Sequence, residues 1–188
     1  ASPGTADASL LVFTDREAFL EAADGPVATD TLADLPEGYY GNPIQRLAGT
    51  PFEYVVGPST AVGFMVENSS LSTLHPNTDL ELEFPPGAVV AFGMDLLLRN
   101  VVTGEAASAP VTIGVPGEAP VTVTLPSGGG FLGVLSLTGT LGTLVVDAPL
   151  KQSLMTLNGL TLVAAPAPAI WSLAAVAMVI SVRRRGRI

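Results

Sequence analysis

Twenty glycines and 16 prolines punctuate these 188 residues. They cut most of the chain into pieces too short for a helical bundle, because proline removes a backbone donor and glycine favours turns. From Phe52 onward the stretches between the cuts follow a period of two. The expected strands are Phe52–Val56, Ala61–Glu67, Asp79–Phe84, Ala88–Leu98, Val111–Val115, Val121–Leu125, Phe131–Leu137, Thr143–Asp147 and Leu154–Val163. Turn signals stand between them at Gly57-Pro58, His75-Pro76-Asn77, Pro85-Pro86-Gly87, Pro116-Gly117 and Ser127-Gly128-Gly129-Gly130. Asp79-Leu-Glu-Leu-Glu-Phe84 and Val121-Thr-Val-Thr-Leu125 alternate as half-exposed antiparallel strands do. Many short strands without helical patterns among them point to a mainly β fold, an antiparallel two-sheet β-sandwich that is jelly-roll-like.

One helix is expected before the strands. Thr14-Asp-Arg-Glu17 has the form of a capping box, Ala18, Phe19, Leu20, Ala22 and Ala23 continue it, and Asp24-Gly25-Pro26 stops it. Residues 27–51 hold Pro36, Gly38, Gly41, Pro43, Gly49 and Pro51, so they read mostly as extended loop, with room for one edge strand.

Charge divides the chain sharply. All 17 acidic residues lie at or before Asp147, whereas Arg183, Arg184, Arg185 and Arg187 make up half of the eight basic ones. An acidic body of this kind argues against nucleic acid as a partner, since phosphate contacts need clustered Lys and Arg. With no cysteine and a single histidine, disulfides, thiolate metal sites and cysteine nucleophiles are excluded, and His-rich sites are poorly provided for.

Between body and tail runs an uncharged apolar segment, 169–182. As a helix it spans about 21 Å at ~1.5 Å per residue, short of a hydrocarbon core of ~30 Å. Snorkelling arginines and locally thinned lipid close that gap. The expected bilayer anchor comprises Ala169, Ile170, Trp171, Leu173, Val176, Met178, Val179, Ile180 and Val182. Small residues Ser172, Ala174, Ala175, Ala177 and Ser181 offer a face for close packing against other membrane helices. The arginines suit the cytoplasmic headgroup region of a bacterial inner membrane, with the N-terminal domain periplasmic or extracellular. Four parts follow: an extracytoplasmic sandwich at 1–163, a Pro/Ala spacer at 164–168, a transmembrane helix at 169–182 and a cytoplasmic tail at 183–188. The chain opens on Ala1 without an initiator Met, and a cleaved export signal is expected.

Pro166-Ala167-Pro168-Ala169, the apolar run to Val182 and Arg183-Arg184-Arg185 together resemble a PEP-CTERM-type exported protein. The resemblance implies an exosortase-read sorting motif at Pro166, Ala167 and Pro168, where Ala167 replaces the glutamate usual in that family. The body resembles the sandwiches joined to such tails, most nearly in 90–96 and 131–136.

Individual side chains offer little chemistry. Asp79, Glu81 and Glu83 share one face of a strand, as calcium ligands or as ordinary solvated charges. His75 reads as a turn residue. Tyr39, Tyr40 and Tyr54 are the aromatic candidates for stacking on a sugar ring, and Asn68-Ser69-Ser70 matches a glycosylation sequon. Ser127-Gly128-Gly129-Gly130 lacks the lysine of a phosphate loop. The reading is of a non-catalytic protein without cofactor or metal. Its expected role is that of a single-pass accessory subunit stabilising a larger membrane assembly of the respiratory or photosynthetic kind, with lipid and other membrane subunits as partners. Ala175→Leu would then weaken assembly by blocking close helix approach. The alternative is a sorted surface or matrix protein that binds polysaccharide or other proteins.

Overall fold

The structure is a computed structural model and describes residues 10–60, 62–76, 78–116, 119–148 and 153–166. Its elements in chain order begin with β1 (Leu10–Phe13), α1 (Arg16–Ala22), β2 (Val27–Asp30), β3 (Gly38–Tyr40), β4 (Ile44–Arg46) and β5 (Tyr54–Pro58). There follow β6 (Phe64–Glu67), β7 (Ser70–Thr73), β8 (Leu80–Glu83), β9 (Val89–Asn100) and β10 (Ala109–Gly114). The last are β11 (Val121–Leu125), β12 (Gly130–Ser136), β13 (Thr143–Asp147) and β14 (Ser153–Ala164).

The strands form two antiparallel sheets, as the period-two pattern requires. The larger runs β1-β12-β9-β14-β7-β6-β3, with β2 joined to β14, and the smaller runs β11-β10-β13-β8-β5-β4. Alternate residues of both sheets, among them Val56, Leu82, Phe92, Leu132, Leu144 and Leu160, close the core between them. Among the described residues the fold is thus a β-sandwich with one short helix. All nine expected strands are present, with ends displaced by a few residues.

Residues 27–51, expected mostly as extended loop with one edge strand, hold β2, β3 and β4. A buried charge cluster ties β2 to β4, while Leu32 and Ile44 enter the apolar core and Leu35, Tyr40 and Leu47 pack against it. Arg46 donates to Asp30 from Nε at 2.9 Å and from Nη2 at 2.8 Å, and also grips Asp34. Tyr54 adds its hydroxyl to Asp30 at 2.9 Å. Arg46 and Asp30 are only 8% and 4% exposed, so the pair is dry. Burial pushes the Asp30 carboxyl up, but donors from Arg46, the Leu32 amide and Tyr54 outweigh it and hold Asp30 below the usual carboxylate range. The Tyr54 hydroxyl is held well above its ordinary range by burial and by the Asp30 charge.

The helix begins one residue later than the capping-box pattern implies. Asp15, not Thr14, is the N-cap, its carboxylate accepting from the Ala18 amide at 2.8 Å. α1 lies on the outer face of the larger sheet, where Phe19 is wholly buried against Phe131, with ring centroids 5.3 Å apart. The seat beneath it is made by Gly93 and Gly133, directly paired across β9 and β12. A Cβ on Gly133 would stand 2.6 Å from the Phe19 ring and 2.9 Å from that of Phe131. Arg16 pins the helix further, donating to Asp95 and to Thr161 and lying 4.6 Å over the Phe131 ring.

No helix among the described residues is long and apolar enough to cross a membrane. The expected anchor 169–182, its packing face, the tail 183–188, and Ala167 and Pro168 of the sorting-like motif lie outside the described residues. Pro166 is described and exposed, two residues past the end of β14.

Candidate functional site: a trough on the outer face of the larger sheet

The helix covers the outer face of the larger sheet over β1, β12, β9 and the far end of β14, where Phe19 packs with Val163 and Arg16 reaches Thr161. Among the described residues no element covers the rest, β7-β6-β3 with the 154–158 stretch of β14, which forms a trough of about 520 Å³. Strand register places its side chains. Tyr39 pairs with Met65, Met65 with Ser72, Ser72 with Thr156 and Thr156 with Leu97. One transverse row of side chains therefore crosses five strands, roughly 19 Å at ~4.8 Å per gap. Hydroxyls occupy its middle, with Ser72 Oγ and Thr156 Oγ1 2.9 Å apart and hydrogen-bonded. Apolar groups flank them. On one side of this row lie Glu67 and Ser70, partners across β6 and β7, and on the other Leu154 and Arg99, partners across β14 and β9.

Asn158 is set apart by a bulge. Leu157 pairs with Leu96 and Gly159 with Asp95, which leaves Asn158 without a partner on β9. Such an extra residue bends the strand and re-aims its side chain. Exposed Asn158 lines both the trough and a smaller hollow bounded by Asp95, Phe131 and the 128–130 glycine turn. Among the described residues no side-chain hydrogen bond or ion pair occupies the Asn158 carboxamide, the Glu67 carboxylate or the Arg99 guanidinium. The trough thus presents amide, hydroxyl and apolar groups together with the Glu67 carboxylate and the Arg99 guanidinium.

The three tyrosines separate. Tyr54 is in the core, and Tyr40 is half-buried with its hydroxyl donating to the Pro36 carbonyl at 2.9 Å. Neither offers a ring face to a ligand. Tyr39 is 59% exposed at the end of the transverse row. Its ring lies against Gly41, where a Cβ would be 3.2 Å from Tyr39 Cε1, so the backbone supports one side of the ring.

The remaining candidates lie elsewhere. Asp79, Glu81 and Glu83 do point out from one face of the smaller sheet, and Asp147, one residue beyond the partner of Leu80, comes beside Asp79. Burial, together with the Asp147 charge, pushes the Asp79 carboxyl up. No group of three His, Asp or Glu residues among the described residues is arranged to hold a metal ion. His75 is exposed in the turn after β7, its carbonyl accepting from the Thr78 amide at 3.1 Å. Asn68 and Ser69, with φ of 50° and 58°, form the hairpin tip between β6 and β7 at the trough's rim. Ser127-Gly128-Gly129-Gly130 turns into β12 rather than into a helix.

Sequence reasoning did not single out Ser72, Thr156, Met65, Leu97, Arg99 or Asn158. One signal was available. Asn158-Gly159 interrupts a long apolar-rich strand, and an isolated glycine in such a run marks a bulge.

No protein-family model matches the chain, and no curated protein matches it. Among solved structures it is similar to a family two carbohydrate esterase from Cellvibrio japonicus, at 16% identity and a TM-score of 0.35, over 76% of this chain and 36% of that one. The chain thus spans about a third of the esterase's length. It is also similar to a family 29 carbohydrate-binding module, at 11% identity and a TM-score of 0.39, over 73% of this chain and 85% of the module. A family 4 module matches at 8% identity and a TM-score of 0.36, over 65% of this chain and 93% of that one.

Proposed function

We propose that the chain is a non-catalytic glycan-binding sandwich of an exported surface or matrix protein, holding a polysaccharide strand across the trough. The observation that carries this reading is the lining itself. Ser70, Ser72, Thr156 and Asn158 present hydroxyl and amide groups beside Met65, Leu97 and the exposed Tyr39 ring. The strongly acidic body disfavours a polyanion, so the ligand is a neutral glycan. Sorting through a PEP-CTERM-type tail belongs to the same proposal, with β14 leading into the Pro/Ala spacer. The subunit reading draws on residues 169–182, outside the described fold, and we do not adopt it.

The test is affinity electrophoresis of the full chain in gels carrying neutral or uronate-rich polysaccharides, followed by calorimetry on the best ligand. Retardation by a neutral glycan is expected. Asn158→Ala should then weaken binding about tenfold, equivalent to ~1.4 kcal/mol. Migration unaffected by every polysaccharide, or an Asn158→Ala variant that binds as well as the parent, would refute the reading.

A further inference from the structure

The smaller sheet ends on an unguarded edge. Among the described residues β11 pairs with β10 alone and forms the end of its sheet. Proteins usually blunt such edges with charge, proline, bulges or brevity, because free N–H and C=O groups recruit other strands. The other sheet ends are treated in those ways. β4 and β3 are three residues long, β4 follows Pro43 and carries Arg46, and β1 runs directly into α1. β11 has none of these devices. It reads Val121-Thr122-Val123-Thr124-Leu125, five β-favouring residues with no charge, proline or glycine.

We propose that β11 is a homodimer edge, pairing antiparallel with β11 of a second copy of this chain about a two-fold axis through Val123. Three features support that occupant over an unrelated strand. The first is self-complementarity. Centred on Val123, the antiparallel register sets Val121 opposite Leu125 and Thr122 opposite Thr124, so both copies keep valine and leucine inward and threonine outward. The second is burial. Val121 and Val123 are only half-buried, and Val123 already packs on the core, so an added strand completes the core's cover at this edge. The third is charge. Between Glu105 and Asp147 the only charged residue is Glu118, which gives two acidic molecules a neutral place to approach. Pro120 and Pro126 bracket the strand, stopping the pairing at five residues and favouring a closed pair over a growing ladder.

The absence of cysteine makes the register directly testable in the full chain, held in mild detergent. Thr122→Cys and Thr124→Cys are each exposed changes, and unaltered melting of each reduced variant confirms its fold. In the stated register residue 122 of one copy faces residue 124 of the other. Two copies of residue 122 stand about 8 Å apart, beyond disulfide reach. A mixture of the two variants should therefore cross-link on mild oxidation, while each alone should not. The unsubstituted chain should show twice the monomer mass by light scattering, and Thr122→Lys combined with Thr124→Lys should return it to the monomer. A monomeric parent chain, no cross-linking in the mixture, or equal cross-linking of either variant alone would overturn the proposal.

Discussion

At the scale of single residues, the buried Arg46–Asp30 pair ties β2 to β4. Removing one partner strands the other charge in a dry site, so Arg46→Ala should cost about 3–5 kcal/mol in chemical denaturation. Tyr54→Phe removes one of the donors to Asp30 and should cost about 1–3 kcal/mol. The acid response follows in sign. Asp30 titrates lower in the folded than in the unfolded chain, so its stabilisation is present above the unfolded carboxylate value and is lost as pH falls through its folded one. Asp79 behaves in the opposite sense. Its raised folded value means that its contribution is favourable in acid and lost as pH rises. Asp79→Asn should therefore raise the melting temperature at pH 7 and have little effect near pH 3. An equal gain at both pH values would contradict the Asp79–Asp147 repulsion. None of this was legible in the sequence, because Asp30, Arg46 and Tyr54 are far apart in the chain and each looks like an ordinary loop or strand residue.

Among the elements, α1 shows how a seven-residue helix that is marginal alone is held by its seat. Phe19 is its only wholly buried residue, and truncating it to Ala should cost about 3–5 kcal/mol. Gly133→Ala would drive a methyl into two aromatic rings and should cost about 1–3 kcal/mol through overpacking. Both losses are measurable by denaturant titration, and amide exchange should quicken most in α1. The strands from Phe52 onward were readable because their apolar residues alternate and their turns carry Gly or Pro. β2, β3 and β4 escaped because they are three or four residues long, too few for a period to show. β7 escaped because its Ser-Leu-Ser-Thr run keeps a single apolar residue. The helix was legible, but its cap was misplaced by one residue because Thr14 and Asp15 are both good caps and only backbone geometry separates them.

At the scale of the whole molecule, the trough exists because α1 covers part of one face and, among the described residues, no element covers the rest. Composition could announce a sandwich but not that half-open face, since the row from Tyr39 to Leu97 joins five strands distant in sequence. A neutral ligand held by hydroxyl and amide groups should bind with an affinity almost unchanged between low and physiological salt, because screening weakens only charge–charge attraction. A steep loss of binding with salt would instead point to a charged ligand at Arg99 or Glu67. Pairing at β11 would place both troughs on the same side of the dimer, and a long glycan bridging them should bind the pair far more tightly than a short oligosaccharide does.

β14 contributes Thr156 and Asn158 to the trough, and the chain runs on from its other end at Ala165 and Pro166. Hydrogen bonds of an antiparallel ladder stand perpendicular to the strand. A pull between a held glycan and that exit therefore runs lengthwise along one strand, and the bonds to β9 and β2 resist it together instead of parting one at a time. The same arrangement that positions the trough would load the route from a bound ligand to the exit in shear along β14.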